Sequence, residues 1–511
     1  MFFRKLALTL AVTTALSASA LACTTVVVGE GATADGSFLV ARAADSSALK
    51  AQHFVIHPAK KNQSGMYRTK DHDGATNFEY PLPKESMRYT TVPNWKTQLH
   101  GAVGFNEAGV GISGTESIFA SEAALAVDPY VKETGITEDD IADVLLCRCR
   151  TAREGAAELL PRAKTAREGI EILGSIVETI GAGEGFGVVF VDQKEVWYFE
   201  TGTGHQWMAH RTPKDTYFAS GNQGRLQQYD AKSADFMASK TLVSWAEKNG
   251  FYDPKKDGEF NFSKAYCRDD ARDRVYNDPR VWQIQKLFNP SLEQKPDEGR
   301  TYPVYLKPEK KLTVDDMKTM LRNHYEGTDH DPYSPVLNGN EPWRPISVFR
   351  TYESHVMHVR PWLPKEIGEV AYVGIGMADL SCYVPYYHGL ESYPAHYGMG
   401  TDKADSKSIY WKYRKLQTLV MTDYQKLAPV VKAAYKTFEA DTAKAQADME
   451  KKYMEVVKKD PKAASKLLNE FNLKVMNDAE ALTEDLTNQV FTIRTTDIQA
   501  ANFFANNKRK D

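Results

Sequence analysis

The chain has 511 residues, 42% of them hydrophobic and 26% charged, with a formal net charge of −3. That is the composition of an ordinary globular protein with material for two or three domains. No basic excess points to nucleic acid or an anionic membrane, and five cysteines in so long a chain make no disulfide framework.

The chain opens with Arg4 and Lys5, an apolar run over 6–16 and small residues over 17–22. This pattern predicts an export leader, because the apolar run is too short to span a bilayer. No later run reaches the roughly 18 apolar residues of a membrane helix. Cleavage after Ala20-Leu21-Ala22 makes Cys23 the first residue of an exported chain, periplasmic or extracellular in a bacterium. A terminal cysteine joins a thiol nucleophile to an α-amino base, the logic of an N-terminal nucleophile hydrolase. A lipidated cysteine and an ordinary cysteine are the competing readings. Lipoprotein signals usually have Leu three residues before the cysteine and a small residue two before; Ala20 and Leu21 reverse that order. The chain then enters a β-branched strand over 24–28 at once, which suits catalysis better than a flexible tether.

Asp35-Gly36 predicts a hairpin into a strand over 37–43, and 54–57 is a further strand candidate. Residues 60–96 are polar and turn-rich, a surface excursion, and 101–116 reads as a hairpin turning at Asn106-Glu107-Ala108-Gly109. Thr137 and Asp140 form a capping box for a helix to about 152. A second helix covers 164–180, and the sequence TAREG occurs at 151–155 and 165–169. Strands are expected over 185–192, 195–201, 205–211 and 216–220, and a helix near 232–249. Residues 253–310 read as irregular. Thr313 caps a helix to about 325, and 346–359 and 369–376 are again strand-like. Strands, helices and strands in this order predict an α+β sandwich of two facing sheets with helices outside.

From 403 onward the chain is rich in Lys, Ala and Glu and reads as helical. Asp460-Pro461 is an N-cap followed by proline in the first turn. Leu467, Phe471, Val475, Ala479, Leu482, Leu486 and Val490 then form one apolar stripe. Packing on the chain's own core is the simpler reading of that stripe; a dimer or partner surface is the alternative. The expected division is thus a leader over 1–22, a catalytic domain over 23–402 and a helical region over 403–511.

There is no HExxH and no CxxC, and His355 and His358 lie three apart in a strand, facing opposite ways. No catalytic metal or organic cofactor is expected. Cys147 and Cys149 lie two apart in a helix and point to different sides, so they cannot easily bridge. With Cys267 and Cys382 they read as buried small hydrophobes.

An α-amino group titrates at about 7.7–8.0, well poised for a general base. Arg42, on the hairpin partner of the first strand, is the candidate cation beside the thiol, and Asp45 follows it as R-x-x-D. A structural ion pair explains the same spacing. Asn222, among the glycines of Ser220-Gly221-Asn222-Gln223-Gly224-Arg225, is the candidate oxyanion donor; the plainer reading is a turn asparagine.

Several segments in one order then carry a resemblance: CTTVVVG…DGS…AR…D at 23–45, NEAGVGISGTES, TAREG, EVWYFET, GNQGR, RNHYEGT at 322–328, PWRPIS at 342–347, RTYESHV at 350–356 and VPYYHG at 384–389. Together they resemble the dipeptidase A-like cysteine peptidases, members of the N-terminal nucleophile hydrolases, over nearly the whole chain from 23 to about 400. More distantly the chain is similar to penicillin V acylases and bile-salt hydrolases. The resemblance implies a four-layer αββα sandwich and hydrolysis of amide bonds in dipeptides or short peptides. It implies Cys23 as nucleophile with its amine as base, Arg42 and Asp45 as its partners, and Asn222 on the oxyanion side. Arg350 matches a later active-site arginine loosely. The acylases carry an asparagine after their NE-x-G hairpin where this chain has Thr115-Glu116. Glu116 or Asp45 is therefore expected to read the substrate's free amino group, with Arg225 also on the substrate side. An N-acyl amide hydrolase and a non-catalytic, lipid-anchored surface protein are the alternative functions; a homo-oligomer is left open.

Overall fold

A computed structural model describes residues 23–69, 77–96, 101–147, 165–334 and 343–507. Two antiparallel sheets dominate it. The first has seven strands in the order Tyr305–Leu306, Tyr217–Ser220, Thr24–Val28, Phe38–Asp45, Thr351–Val359, Glu369–Ile375, Val384–Tyr387. The second has six, in the order Phe236–Ala238, Trp207–Arg211, Val196–Thr201, Phe186–Val191, Gly111–Ser117, Val103–Phe105.

Strand periodicity explains how they pack. Side chains alternate across a strand, so each sheet offers two faces. Val27, Val40, Phe218 and Met357 of the first sheet share a core with Val189, Tyr198 and Met208 of the second. The opposite face of the first sheet, through Val26, Val28, Leu39 and Ala41, packs on Val281, Ile284, Met317 and Leu321 of helices Asp278–Phe288 and Val314–Arg322. The opposite face of the second, through Ile112, Val188, Phe190 and Phe199, packs on helices Glu138–Leu146 and Ala166–Thr179. Both sheets are covered on two sides, which is why Thr24–Val28 is buried at every position. The mixed α+β organisation expected from the element order is present.

Local signals act as their chemistry dictates. The Asp140 carboxylate accepts from the backbone N–H and hydroxyl of Thr137, at 3.0 and 2.9 Å. Thr165, which opens the second TAREG, caps its helix by accepting from Glu168 N at 3.2 Å; the first copy, and Cys149, lie outside the described residues.

Three expectations need correction. The strand expected from 346 begins at Thr351, because Pro345 and the turn after it hold the chain out of the ladder. The helix expected over 232–249 is a short edge strand, Phe236–Ala238, followed by helix Leu242–Lys248. The region read as irregular contains helices Phe262–Tyr266, Asp273–Tyr276 and Asp278–Phe288, the last with proline in its first turn.

Helices Ile409–Val420, Tyr424–Val456 and Pro461–Asn507 complete the chain. Asp460 caps the last, accepting from Ala463 N at 3.0 Å. Val475, Ala479, Leu486 and Val490 are buried with Tyr410, Tyr413, Leu427 and Tyr435, so the apolar stripe packs on the chain's own core. Among the described residues no helix is long and apolar enough to cross a membrane.

Candidate active site

Antiparallel pairing of Thr24–Val28 with Phe38–Asp45 sets Thr25 opposite Arg42 and Thr24 opposite Ala43. Cys23 therefore ends its strand beside the R-x-x-D segment. Arg42 Nη2 donates to Cys23 Sγ at 2.9 Å. The backbone of Asp45 adds a smaller influence that favours the charged sulfur. Cys23 is 2% exposed. Burial raises its thiol above the usual range, and Arg42 works against that rise. Burial alone lowers the Arg42 guanidinium, but Cys23, Tyr352, Glu353 and Glu138 together hold it above its ordinary value. Arg42 is thus locked in its charged form against the sulfur.

Asp45 is fully buried and already engaged. Its carboxylate accepts from the Thr351 hydroxyl at 2.5 Å and pairs with the Arg344 guanidinium. Arg344 Nη1 also donates to the Pro345 carbonyl at 2.6 Å and to Thr24 Oγ1 at 3.5 Å.

Asn222 lies just past the end of strand Tyr217–Ser220, which pairs with Thr24–Val28 on its other edge. Its Nδ2 donates to the Ser117 carbonyl at 3.0 Å, and its Oδ1 accepts from Arg280 Nη2 at 2.9 Å. Arg280 is the residue that organises this side. It also donates to the Cys23 carbonyl, to Thr24 Oγ1 at 2.9 Å and to Asn277 Oδ1 at 2.6 Å. Burial, helped by Arg344, pushes its guanidinium down to about 9. Asn277 in turn accepts from Asn222 N at 3.0 Å.

The remaining sequence-derived candidates fall elsewhere. Arg350 Nη2 donates to the Tyr276 hydroxyl at 2.8 Å, and the guanidiniums of Arg280 and Arg344 lie 5.2 and 5.7 Å from the same ring. Arg350 therefore joins the site through Tyr276. Arg225 has another task from the one expected. It is buried, and its guanidinium donates to the carbonyls of Ala219, Gly299, Tyr302 and Pro303, tying strand Tyr217–Ser220 to the 299–303 segment. Glu116 pairs with Gly187 in the second sheet, and its side chain lies outside the described residues.

Sequence reading missed Arg280, Asn277, Arg344 and Glu138. Arg344 lies in the PWRPIS segment, which carried a resemblance but no role. Arg280 and Asn277 come from the stretch read as irregular. Glu138 opens a helix; its backbone N–H donates to Glu184 Oε1 at 3.0 Å, and its charge is felt by both Cys23 and Arg42. Burial, with Glu138 as neighbour, raises the Glu184 carboxyl well above the usual range.

Among the described residues, His324, Glu326 and Asp379 form the one convergent set of histidine and acidic groups. The ammonium of Lys432 stands 2.5 Å from Asp379 Oδ1, and the Tyr424 hydroxyl donates to Oδ2 of the same carboxylate. The arrangement around Cys23 can do different chemistry: a thiol held against a permanent cation, a fixed amide beside it, and two further guanidiniums to stabilise developing negative charge.

The model of peptidase family C69 matches residues 22–160 and 157–437. A probable dipeptidase of Salmonella dublin is 52% identical over 386 residues, 75% of this chain and 84% of its own. A probable dipeptidase of Latilactobacillus sakei is 33% identical over 79% of this chain and 82% of its own. A dipeptidase of Bifidobacterium longum is 30% identical over 78% of this chain and 77% of its own. Among solved structures, penicillin V acylase from Agrobacterium tumefaciens aligns at a TM-score of 0.22 and 14% identity over 37% of this chain and 49% of its own, too slight a likeness to bear on the fold. Family match and relatives agree over most of the length: the chain belongs to peptidase family C69.

Proposed function

We propose that the protein is an exported dipeptidase whose nucleophile is the Cys23 thiol. The observation that carries this reading is the Arg42 Nη2 contact with Cys23 Sγ at 2.9 Å. It puts a permanent cation on the one cysteine that leader removal would bring to the chain terminus. Relatives named as dipeptidases support the substrate class. The two faced sheets with helices outside are read as the four-layer αββα arrangement of the N-terminal nucleophile hydrolases.

The sulfur attacks the peptide carbonyl carbon, and the Cys23 α-amine takes the thiol proton. The tetrahedral oxyanion is stabilised by Asn222, whose amide is fixed by Arg280 and Ser117. Collapse breaks the C–N bond, the ammonium returns its proton to the leaving amine, and a thioester remains. Water, deprotonated by the same amine, releases the acid and restores the thiol. Asp45 holds Arg344 and accepts from Thr351, and Glu116 is the contact proposed for the substrate's ammonium.

The test is a panel of free and N-acetylated dipeptides assayed with the exported protein and its Cys23→Ala variant. Hydrolysis of free dipeptides only, abolished in Cys23→Ala, is expected. An equal rate in Cys23→Ala overturns the mechanism, cleavage of the N-acetyl forms favours an acylase, and an intact mass raised by lipid favours the anchor.

A further inference from the structure

Behind Arg42 lies a polar assembly that no step above uses. Strand Thr351–Val359 pairs with Phe38–Asp45 so that His355 sits opposite Arg42 and Glu353 opposite Ala44. Directly paired residues point to one face, and here that face looks across to the second sheet. His355 Nε2 meets Ser113 Oγ of strand Gly111–Ser117 at 2.9 Å. His355 Nδ1 meets Glu353 Oε1 at 2.5 Å. All three side chains are 0% exposed.

The Arg42 guanidinium occupies the same layer. A Cβ placed on Gly114 would lie 2.6 Å from Arg42 Nη1 and 2.9 Å from the Ala102 carbonyl oxygen, so a larger residue there would displace the guanidinium or the backbone beside it. The strand register shifts between Ser113 and Thr115, which is the bulge that opens this room. The second Glu353 oxygen, Oε2, is buried with no hydrogen-bond partner among the described residues. A buried carboxylate left so is costly unless a cation faces it, and Arg42 feels the Glu353 charge. The order Ser–His–Glu is also that of a nucleophile triad. Ser113, sealed between two sheets, is closed to any peptide, so that chemistry is excluded.

We propose that Glu353, His355 and Ser113 are positioning residues for the reaction at Cys23: together they clamp Arg42 between the sheets and keep its Nη2 on the sulfur. This rests on Cys23 being the nucleophile. Among the described residues, the titratable and charged groups around Arg42 include Cys23, Tyr352, Glu353, Glu138 and the paired His355; those around the thiol include Arg42, Asp45, Glu138, Tyr352 and Arg344.

The test is the pH dependence of Cys23 alkylation by iodoacetamide, read by mass, with kcat and KM on a dipeptide. Glu353→Gln keeps the shape and removes one negative charge. If Glu353 were only background charge, its loss would lower the thiol pKa and move the alkylation profile down. If it clamps Arg42, the sulfur loses its cation and the profile moves up, by about half a pH unit or more. The clamp also predicts a kcat about tenfold lower with KM within about twofold. In an Arg42→Gln background Glu353→Gln adds no further upward shift. His355→Gln and Ser113→Ala, which leave the buried charge in place, move the profile in the same upward direction and serve where Glu353→Gln does not fold. A downward or unmoved profile across these variants overturns the clamp. Full activity of Cys23→Ala instead overturns the nucleophile, and the alkylation profile separates the two failures.

Discussion

Only the thiolate attacks, so a thiol sealed from water is a weak nucleophile until a cation stands against it. Burial raises Cys23 and Arg42 opposes it. Removing Arg42 leaves the raising cause alone. Arg42→Gln is therefore expected to shift Cys23 alkylation to higher pH. At pH 7 less thiolate is present, and dipeptide hydrolysis falls by about 10²-fold or more, recovering in part as pH rises through the raised value. A pH–rate profile of the variant checks this; an unmoved profile refutes the pairing. Arg42→Lys keeps the charge but lacks the fork that reaches Sγ, and is expected to lie between the two. The R-x-x-D pattern made Arg42 and Asp45 visible as candidates in the sequence, because a hairpin returns its second strand to the start of its first. It did not make visible that Asp45 is spent on Arg344 and Thr351.

At the scale of elements, the C-terminal helices reach toward the site through the buried side chain of Arg414. Arg414, in helix Ile409–Val420, donates to the Phe349 carbonyl at 2.6 Å, to the Thr351 carbonyl and to the Tyr410 hydroxyl at 3.0 Å. The Thr351 hydroxyl in turn holds Asp45. Arg414→Met strands two carbonyls, and a stability loss of about 2–4 kcal/mol is expected, with slower dipeptide hydrolysis. Urea denaturation measures the first; wild-type stability and activity would sever the helices from the site. Capping boxes at Thr137 and Thr313, the β-branched first strand and the 3.6-residue stripe were legible because their signals are local. The helices between 262 and 288 were not. Two of the three are short, and the run RDDARDRVYNDPR at 268–280 is dense in charge and lacks an apolar period. Only burial against the first sheet turns Asn277 and Arg280 inward.

At the scale of the molecule, the proposed mechanism makes leader removal the activation step. While residues 1–22 remain attached, Cys23 has an amide nitrogen and no free amine to act as base. A precursor retaining them is expected to hydrolyse dipeptides at least about 10²-fold more slowly than the cleaved chain. Comparing the two forms by N-terminal sequencing and assay checks this, and a fully active precursor removes the amine from the mechanism. What the sequence by itself determined is the first hairpin, its Cys23–Arg42 neighbourhood and the amphipathic tail, all set by turn chemistry and side-chain period over short range. What only the tertiary structure decided is the rest of the site. Arg280 reaches the Cys23 carbonyl from 257 residues away, and His355 reaches Ser113 across 242. The first meeting follows from helix Asp278–Phe288 packing on the outer face of the first sheet, the second from strand Thr351–Val359 lying beside Phe38–Asp45 with the two sheets facing each other, and no local pattern encodes which distant element becomes a neighbour.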